Sequence, residues 1–267
     1  MLIIGELINA TRKSVREAVI NHDSDFIQDL ARQQDEAGAD YIDVNVATGR
    51  GKAEKEVEDM KWAVELIKEV TQKPLTIDTT SIEVLESGLK AFGQGAMLNS
   101  ISAEEGRLEP FLELARQYDC SVVALPATDK GIPKDVEGRL QVATEILERA
   151  EKMGFSKESF YFDPLAFPLG VDDKSGEVTL ESLQQFRDKL GVKTTIGLTN
   201  ISHGLPQRAL LNRTYLVLAM GVGLDSALLN PLDKAVMSSV FATRALTGQD
   251  PYCGKYLRAF RKGVLVI

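Results

Sequence analysis

FIQDLARQQDEAGADYIDVNV, residues 26–46, contains the repeating unit of this chain. Phe26, Ile27, Leu30 and Ala31 share one face of a 3.6-residue period, and the pattern stops at Gly38. A glycine after an amphipathic run is a helix C-cap signal, because it enters the left-handed region without a Cβ penalty. YIDVNV (41–46) then reads as a short buried strand. The same alternation continues in both directions. Short apolar runs fall at LIIG (2–5), YIDVNV (41–46), LTID (75–78), AMLNS (96–100), SVVAL (121–125), FYFD (160–163), TTIGL (194–198) and DSALLN (225–230). Helical periodicity returns between them. VEDMKWAVELIKEV (57–70) aligns Met60, Val64, Ile67 and Val70, and VATEILERAEKMG (142–154) ends at Gly154.

Strands alternating with helices imply βαβ units and a parallel sheet. Eight such units in about 250 residues match the size of a closed (β/α)8 TIM barrel, an α/β fold. No Pro- or Ser-rich spacer divides the chain, so residues 1–267 are expected to form one domain. An open doubly wound sheet is the alternative. Against it, LIIGELINATRKS after the first strand carries no G-x-G-x-x-G fingerprint.

Composition narrows the partners. Apolar residues are 44% and charged residues 26%, enough for a sizeable core. The net charge of −8 repels phosphate backbones and anionic lipid, which argues against nucleic acid and membrane partners. Cys120, Cys253, His22 and His203 are scattered and form no zinc pattern, so no metal site is expected. Few cysteines fit a reducing cytoplasm. The start MLIIGELINA lacks a basic n-region, and no apolar run reaches the ~18 residues of a membrane span.

In a barrel the C-terminal strand ends face the active site. In order, those ends give Glu6 with Asn9, Asn45, Asp78, Asn99, Pro126, Asp163, Asn200 and Asn230. Each Asp or Asn alone can also be a helix cap, Asp78 in DTTSIEVLESG most plainly. Asp163 precedes Pro164, which holds it extended and away from an N-cap role. The set is rich in carboxylates and amides and nearly free of cations. A phosphate site would want a Gly-rich loop or a Lys/Arg cluster. Asp and Asn together suit a flat polar heterocycle with several N–H donors and a carbonyl acceptor, such as a 2-amino-4-oxo pyrimidine edge.

GELIN (5–9), DVNV (43–46), ID (77–78), MLNS (97–100), DPL (163–165), GLTN (197–200) and LLNRTYL (210–216) resemble the pterin-binding barrel methyltransferases. Among these the chain is most similar to methyltetrahydrofolate:corrinoid/iron–sulfur protein methyltransferases of anaerobes, with the folate domain of methionine synthase and dihydropteroate synthase more distant. The resemblance covers essentially the whole chain. It implies pterin contacts at Asp78, Asn99 and Asp163, and places Asn200 near N5 of the folate. It puts Asn9, Asn45 and Arg208 along the pocket. After Asn200 this chain reads ISHGLPQR where the family carries a polar run. His203 in that loop is a pocket-wall residue or proton relay, or else a plain loop histidine. Arg208 meets the glutamate tail of folate or serves the surface.

The implied reaction moves a methyl group between N5 of tetrahydrofolate and the cobalt of a corrinoid (cobalamin) carried by a separate corrinoid protein. No D-x-H-x-x-G stretch marks a cobalamin module in this chain. The leaving nitrogen would depart as an anion unless it gains a proton or positive character. An amide both donates and accepts, so Asn200 is the candidate catalyst, acting through a hydrogen bond that strengthens in the transition state. The resemblance also implies a homodimer.

Other functions make different demands. Dihydropteroate synthases carry a Lys after the seventh strand and Arg-x-His after the eighth, whereas Asn200 and LLNPLDKA stand here. A non-catalytic folate-binding protein would need Asp78, Asn99 and Asp163 but not Asn200. A barrel aldolase would want a Schiff-base lysine at a strand end, and none is present. The remaining features have plainer readings. His22 in NHDSD is expected to be solvated, Arg213 to form a structural ion pair, Cys120 and Cys253 to be ordinary thiols, and 53–60 and 257–263 to be solvated helix segments.

Overall fold

The computed structural model describes residues 1–49 and 53–266. Eight strands form one parallel sheet: β1 (Leu2–Asn9), β2 (Tyr41–Asn45), β3 (Leu75–Asp78), β4 (Met97–Ile101), β5 (Ser121–Ala124), β6 (Phe160–Phe162), β7 (Lys193–Thr194) and β8 (Ser226–Leu229). The ladder order is β7-β6-β5-β4-β3-β2-β1-β8. Consecutive strands are neighbours with no reversal of direction, so the doubly wound alternative is ruled out. The seam between β7 and β8 closes beyond the regular ladder. Leu228 N–H donates to the Ile196 carbonyl at 2.9 Å, and Gly197 bridges Leu228 in parallel register.

Helices run outside the barrel: α1 (Lys13–Asn21), α2 (Ser24–Glu36), α3 (Ala53–Lys68), α4 (Ile82–Phe92), α5 (Leu108–Gln117), α6 (Val136–Lys152), α7 (Ser175–Gln185), α8 (Arg208–Gly221), α9 (Lys234–Leu246) and α10 (Gly254–Arg261). Ile27, Ala31, Met60, Val64 and Ile67 are fully buried, and Gly38 follows α2 at φ 93°, as the periodicity implies. No helix among the described residues is long and apolar enough to cross a membrane.

The two-residue period of a strand sorts the side chains. On β2, Ile42 and Val44 join the core between sheet and helices, while Tyr41 packs on the lumen cluster of Ile4, Met97, Val123 and Tyr161. That cluster plugs the barrel, so the strand residues one step further along can line only its upper end.

β1 carries an irregularity between Gly5 and Ile8. There Leu7 N–H donates to the buried Gln34 Oε1 of α2 at 3.0 Å instead of to a neighbouring strand. A Cβ at Gly5 would lie 2.4 Å from that oxygen, so glycine is needed for close approach.

Candidate functional site

A cavity of about 840 Å³ opens at the C-terminal end of the strands. Its lining includes Asp43 of β2, Asp78 of β3, Asn99 of β4 and Asp163 just after β6. All four continue the lumen-facing positions set by strand alternation. Asn99 Nδ2 donates to Asp43 Oδ1 at 3.4 Å, and Asn45 Nδ2 donates to Asp78 Oδ2 at 3.1 Å. Asp163 accepts the Leu165 N–H at 2.8 Å and the Gly197 N–H at 3.2 Å.

Burial dominates the electrostatics. It pushes Asp78 up to about 6, against the opposing hydrogen bond from Asn45. Burial likewise lifts Asp163 to about 6, against its two backbone donors and the Arg139 cation. Asp43 rises well above the ordinary range through burial and the neighbouring Asp78 charge. Glu6 is raised by burial, with the Arg12 cation opposing. Asp43 Oδ2 and Asn212 Oδ1 are buried without a hydrogen-bond partner. Unpaired buried acceptors are costly, so a ligand edge rich in N–H groups would gain by filling them.

The rim is internally braced. Asn9 Oδ1 accepts from the Thr11 backbone N–H at 3.0 Å and from its hydroxyl at 2.6 Å. Arg12 pairs with Glu6 at 2.7 Å, and the Thr199 hydroxyl donates to Glu6 at 3.4 Å. Arg208 donates to the Thr199 carbonyl at 2.9 Å and to Ser202 Oγ at 3.1 Å. Arg12 and Arg208 are therefore both engaged by the protein itself. His203 lines the mouth and is exposed.

Asn9, Asp78, Asn99, Asp163, Asn200, His203 and Arg208 all line this one cavity. Asn45 does not; it stands one step behind and holds Asp78. Asn200 differs from its expected place. β7 ends at Thr194, and Asn200 closes a 3-10 turn over Leu198–Asn200, exposed at the mouth. The chain leaves the ladder because Gly197 N–H turns to Asp163. Asp78 is no helix cap, since Ser81 caps α4.

His22 is exposed in the turn after α1, as expected, and its ring there stacks on Trp62, with centroids 4.5 Å apart, and lies 2.8 Å from Asp59 of α3. One plainer expectation changes. Arg213 makes no ion pair among the described residues. Asp43, Thr199 and Asn212 were not anticipated as cavity residues. Strand alternation in DVN pairs Asp43 with Asn45 on one face and is the signal that could have found it.

The profile of the pterin-binding enzymes matches residues 5–230. The chain belongs to that family. Within it, this pterin-binding enzyme is 34% identical over 268 residues to the methylcorrinoid:tetrahydrofolate methyltransferase of Eubacterium limosum, covering 98% of this chain and 97% of that protein. It is 32% identical over 245 residues to methionine synthase of Mycobacterium leprae, covering 86% of this chain but only 20% of that protein. Among solved structures, dihydropteroate synthase of Xanthomonas albilineans in complex with 7,8-dihydropteroate superposes with a TM-score of 0.70 at 21% identity over 92% of each chain. That likeness concerns the fold.

Proposed function

We propose that this pterin-binding enzyme is a methyltransferase that moves a methyl group between N5 of tetrahydrofolate and the cobalt of a corrinoid carried by a separate protein. The observation that carries this reading is the full-length similarity to a methylcorrinoid:tetrahydrofolate methyltransferase. The cavity supports it. Asp43, Asp78 and Asp163 offer acceptors and Asn99 an amide, which suits the N–H-rich edge of a pterin. A dihydropteroate synthase reading fits less well, because Arg12 and Arg208, which line the mouth, are already engaged by Glu6, Thr199 and Ser202.

The chemical step breaks the bond between N5 and the methyl carbon. The electron pair of that bond stays on N5, so the nitrogen must be protonated or hydrogen-bonded by the transition state. Asn200, on the turn above Asp163, supplies that hydrogen bond in this reading. Its NH2 donates to a bare N5 and its carbonyl accepts from a protonated one. Asp78, Asn99 and Asp163 hold the ring so that the methyl faces the open mouth, where the corrinoid substrate arrives. The reaction runs in either direction according to which methylated partner is supplied.

The proposal includes a homodimer acting in the cytoplasm with a corrinoid protein as its partner. Supporting the dimer, α8 leaves Leu210, Val217 and Leu218 exposed. The test of the function mixes the protein with methyltetrahydrofolate and cob(I)alamin without oxygen and follows the corrinoid spectrum. Conversion to methylcob(III)alamin is expected. Tight folate binding without conversion, to free cobalamin or to a corrinoid protein, would leave a folate-binding protein instead.

A further inference from the structure

Arg139 of α6 is fully buried and has no carboxylate within ion-pair distance among the described residues. A buried guanidinium without a partner is strongly disfavoured, so its position calls for an explanation. Its Nε donates to the Pro133 carbonyl at 3.0 Å, in the loop that follows β5. Its Nη1 donates to Thr179 Oγ1 of α7 at 3.3 Å. Its guanidinium lies 5.7 Å from the Phe167 ring centroid, in the loop that Asp163 begins. Nη2 is buried with no partner, as is the hydroxyl of Tyr215 on α8. Arg139 therefore ties together two of the loops that wall the cavity and a third element, α7, behind β6.

We propose that Arg139 is a positioning residue for the pterin site, a buried cation whose contacts with Pro133, Thr179 and Phe167 hold in place the loop that Asp163 begins. This rests on the reading of Asp163 as a pterin contact. The electrostatics agree. Of the charges that favour the Arg139 cation, Asp163 contributes most, ahead of Tyr215, Asp172 and Asp135. Arg139 in turn lowers Asp163, against burial that raises it. Asp43 and Asp78 have no such cation among the causes of their shifts; all three carboxyls are raised, since burial outweighs the Arg139 charge at Asp163. One carboxylate of the cluster thus has a resident counter-charge, and it is the one that also accepts the Gly197 N–H of the Asn200 turn.

The groups that can influence an Asp163 titration are Arg139, Tyr215, Asp43, Asp78 and Glu6, with His203 and Arg208 at the mouth. A site-resolved measurement is therefore required. The test follows the side-chain carboxyl carbon of Asp163 by NMR in ligand-free protein, assigned by its loss in D163N, in wild type, R139Q and R139K. The Asp163 midpoint is expected to rise by about half to one pH unit in R139Q and to stay near wild type in R139K, which keeps the charge. Affinity for methyltetrahydrofolate near pH 6 should fall severalfold in R139Q and less in R139K. An unchanged Asp163 midpoint in R139Q, with only a lowered melting temperature, would overturn the proposal and leave Arg139 a packing residue.

If R139Q does not fold, T179V replaces it, removing the hydroxyl that accepts from Arg139 Nη1 while leaving Asp163 and its backbone donors intact. The Asp163 carboxyl resonance should shift and affinity for methyltetrahydrofolate should fall; an unshifted resonance with unchanged affinity would overturn the proposal. The NMR titration needs no folate, so it separates this inference from the methyltransferase reading. A shifted Asp163 midpoint in a protein that binds no folate would uphold Arg139's electrostatic role and reject the function.

Discussion

Asn200 occupies the space that a side chain on Gly197 would need: its Nδ2 atom lies 2.8 Å from where a Cβ at Gly197 would stand. Gly197 also donates its N–H to Asp163. One glycine thus joins a proposed pterin contact to the proposed catalytic amide.

Gly197→Ala is expected to displace the Asn200 amide without unfolding the protein. The backbone there, at φ −78° and ψ 94°, suits alanine, and the clashing atom ends a mobile side chain. Methyl transfer to cob(I)alamin should slow ~10–100-fold, because small misplacements of a positioned group are costly in rate. Folate affinity and melting temperature should stay close to wild type. Undiminished kcat would mean that the placement of Asn200 is unimportant.

Asn200→Ala removes the amide itself. By analogy with the loss of one oxyanion-hole donor, kcat should fall ~10²–10³-fold while folate still binds. Single-turnover kinetics with folate binding measured separately would distinguish this from a loss of affinity, and full activity would dismiss Asn200 as the catalyst.

Ligand binding and stability should depend on pH with opposite signs. Burial raises the pKa values of Asp78 and Asp163 from the ordinary aspartate range to about 6. A carboxyl whose pKa is raised on folding stabilises the protonated folded state. The stability that these two groups contribute to the ligand-free protein is therefore fully present below about 4 and is lost as pH rises through about 6. Folate, whose N–H groups need ionised acceptors, should bind more weakly as pH falls through the same range. Thermal melts at pH 5 and pH 8, with and without methyltetrahydrofolate, report both effects. Asp78→Asn should raise the ligand-free melting temperature at pH 8, and a fall there would contradict the assignment.

Gly5→Ala tests the β1 irregularity. The new Cβ would meet Gln34 Oε1 at 2.4 Å inside the core, and Gln34 is fully buried. Either the Leu7 hydrogen bond breaks or the strand shifts. Urea denaturation should show a loss of about 2–4 kcal/mol. A loss below about 0.5 kcal/mol would show that the packing relaxes freely.

The strand count, the helix periodicities and the polar strand ends were legible because they depend on local rules. Ile42 and Val44 alternate with Asp43 and Asn45 whatever the rest of the chain does. The end of β7 was not legible. TTIGL reads as a strand throughout, yet its ladder stops at Thr194 because Gly197 donates to Asp163, a residue 34 positions away. His22 reads as a solvated turn residue and is exposed, but its stacking on Trp62 of α3 could not be read from its neighbours in the chain.

By itself the sequence determined the (β/α)8 order, the lumen-facing set and the chemical character of the mouth, since alternation and capping act over a few residues. Only the tertiary structure decided that Asp43 shares the buried floor with Asp78, that Asn45 braces the floor instead of lining the cavity, and that Arg139 is buried against Phe167 in the loop that Asp163 begins. These depend on distances across strands and between layers. The resulting shifts in charge come from burial, which arises only once the whole barrel has closed.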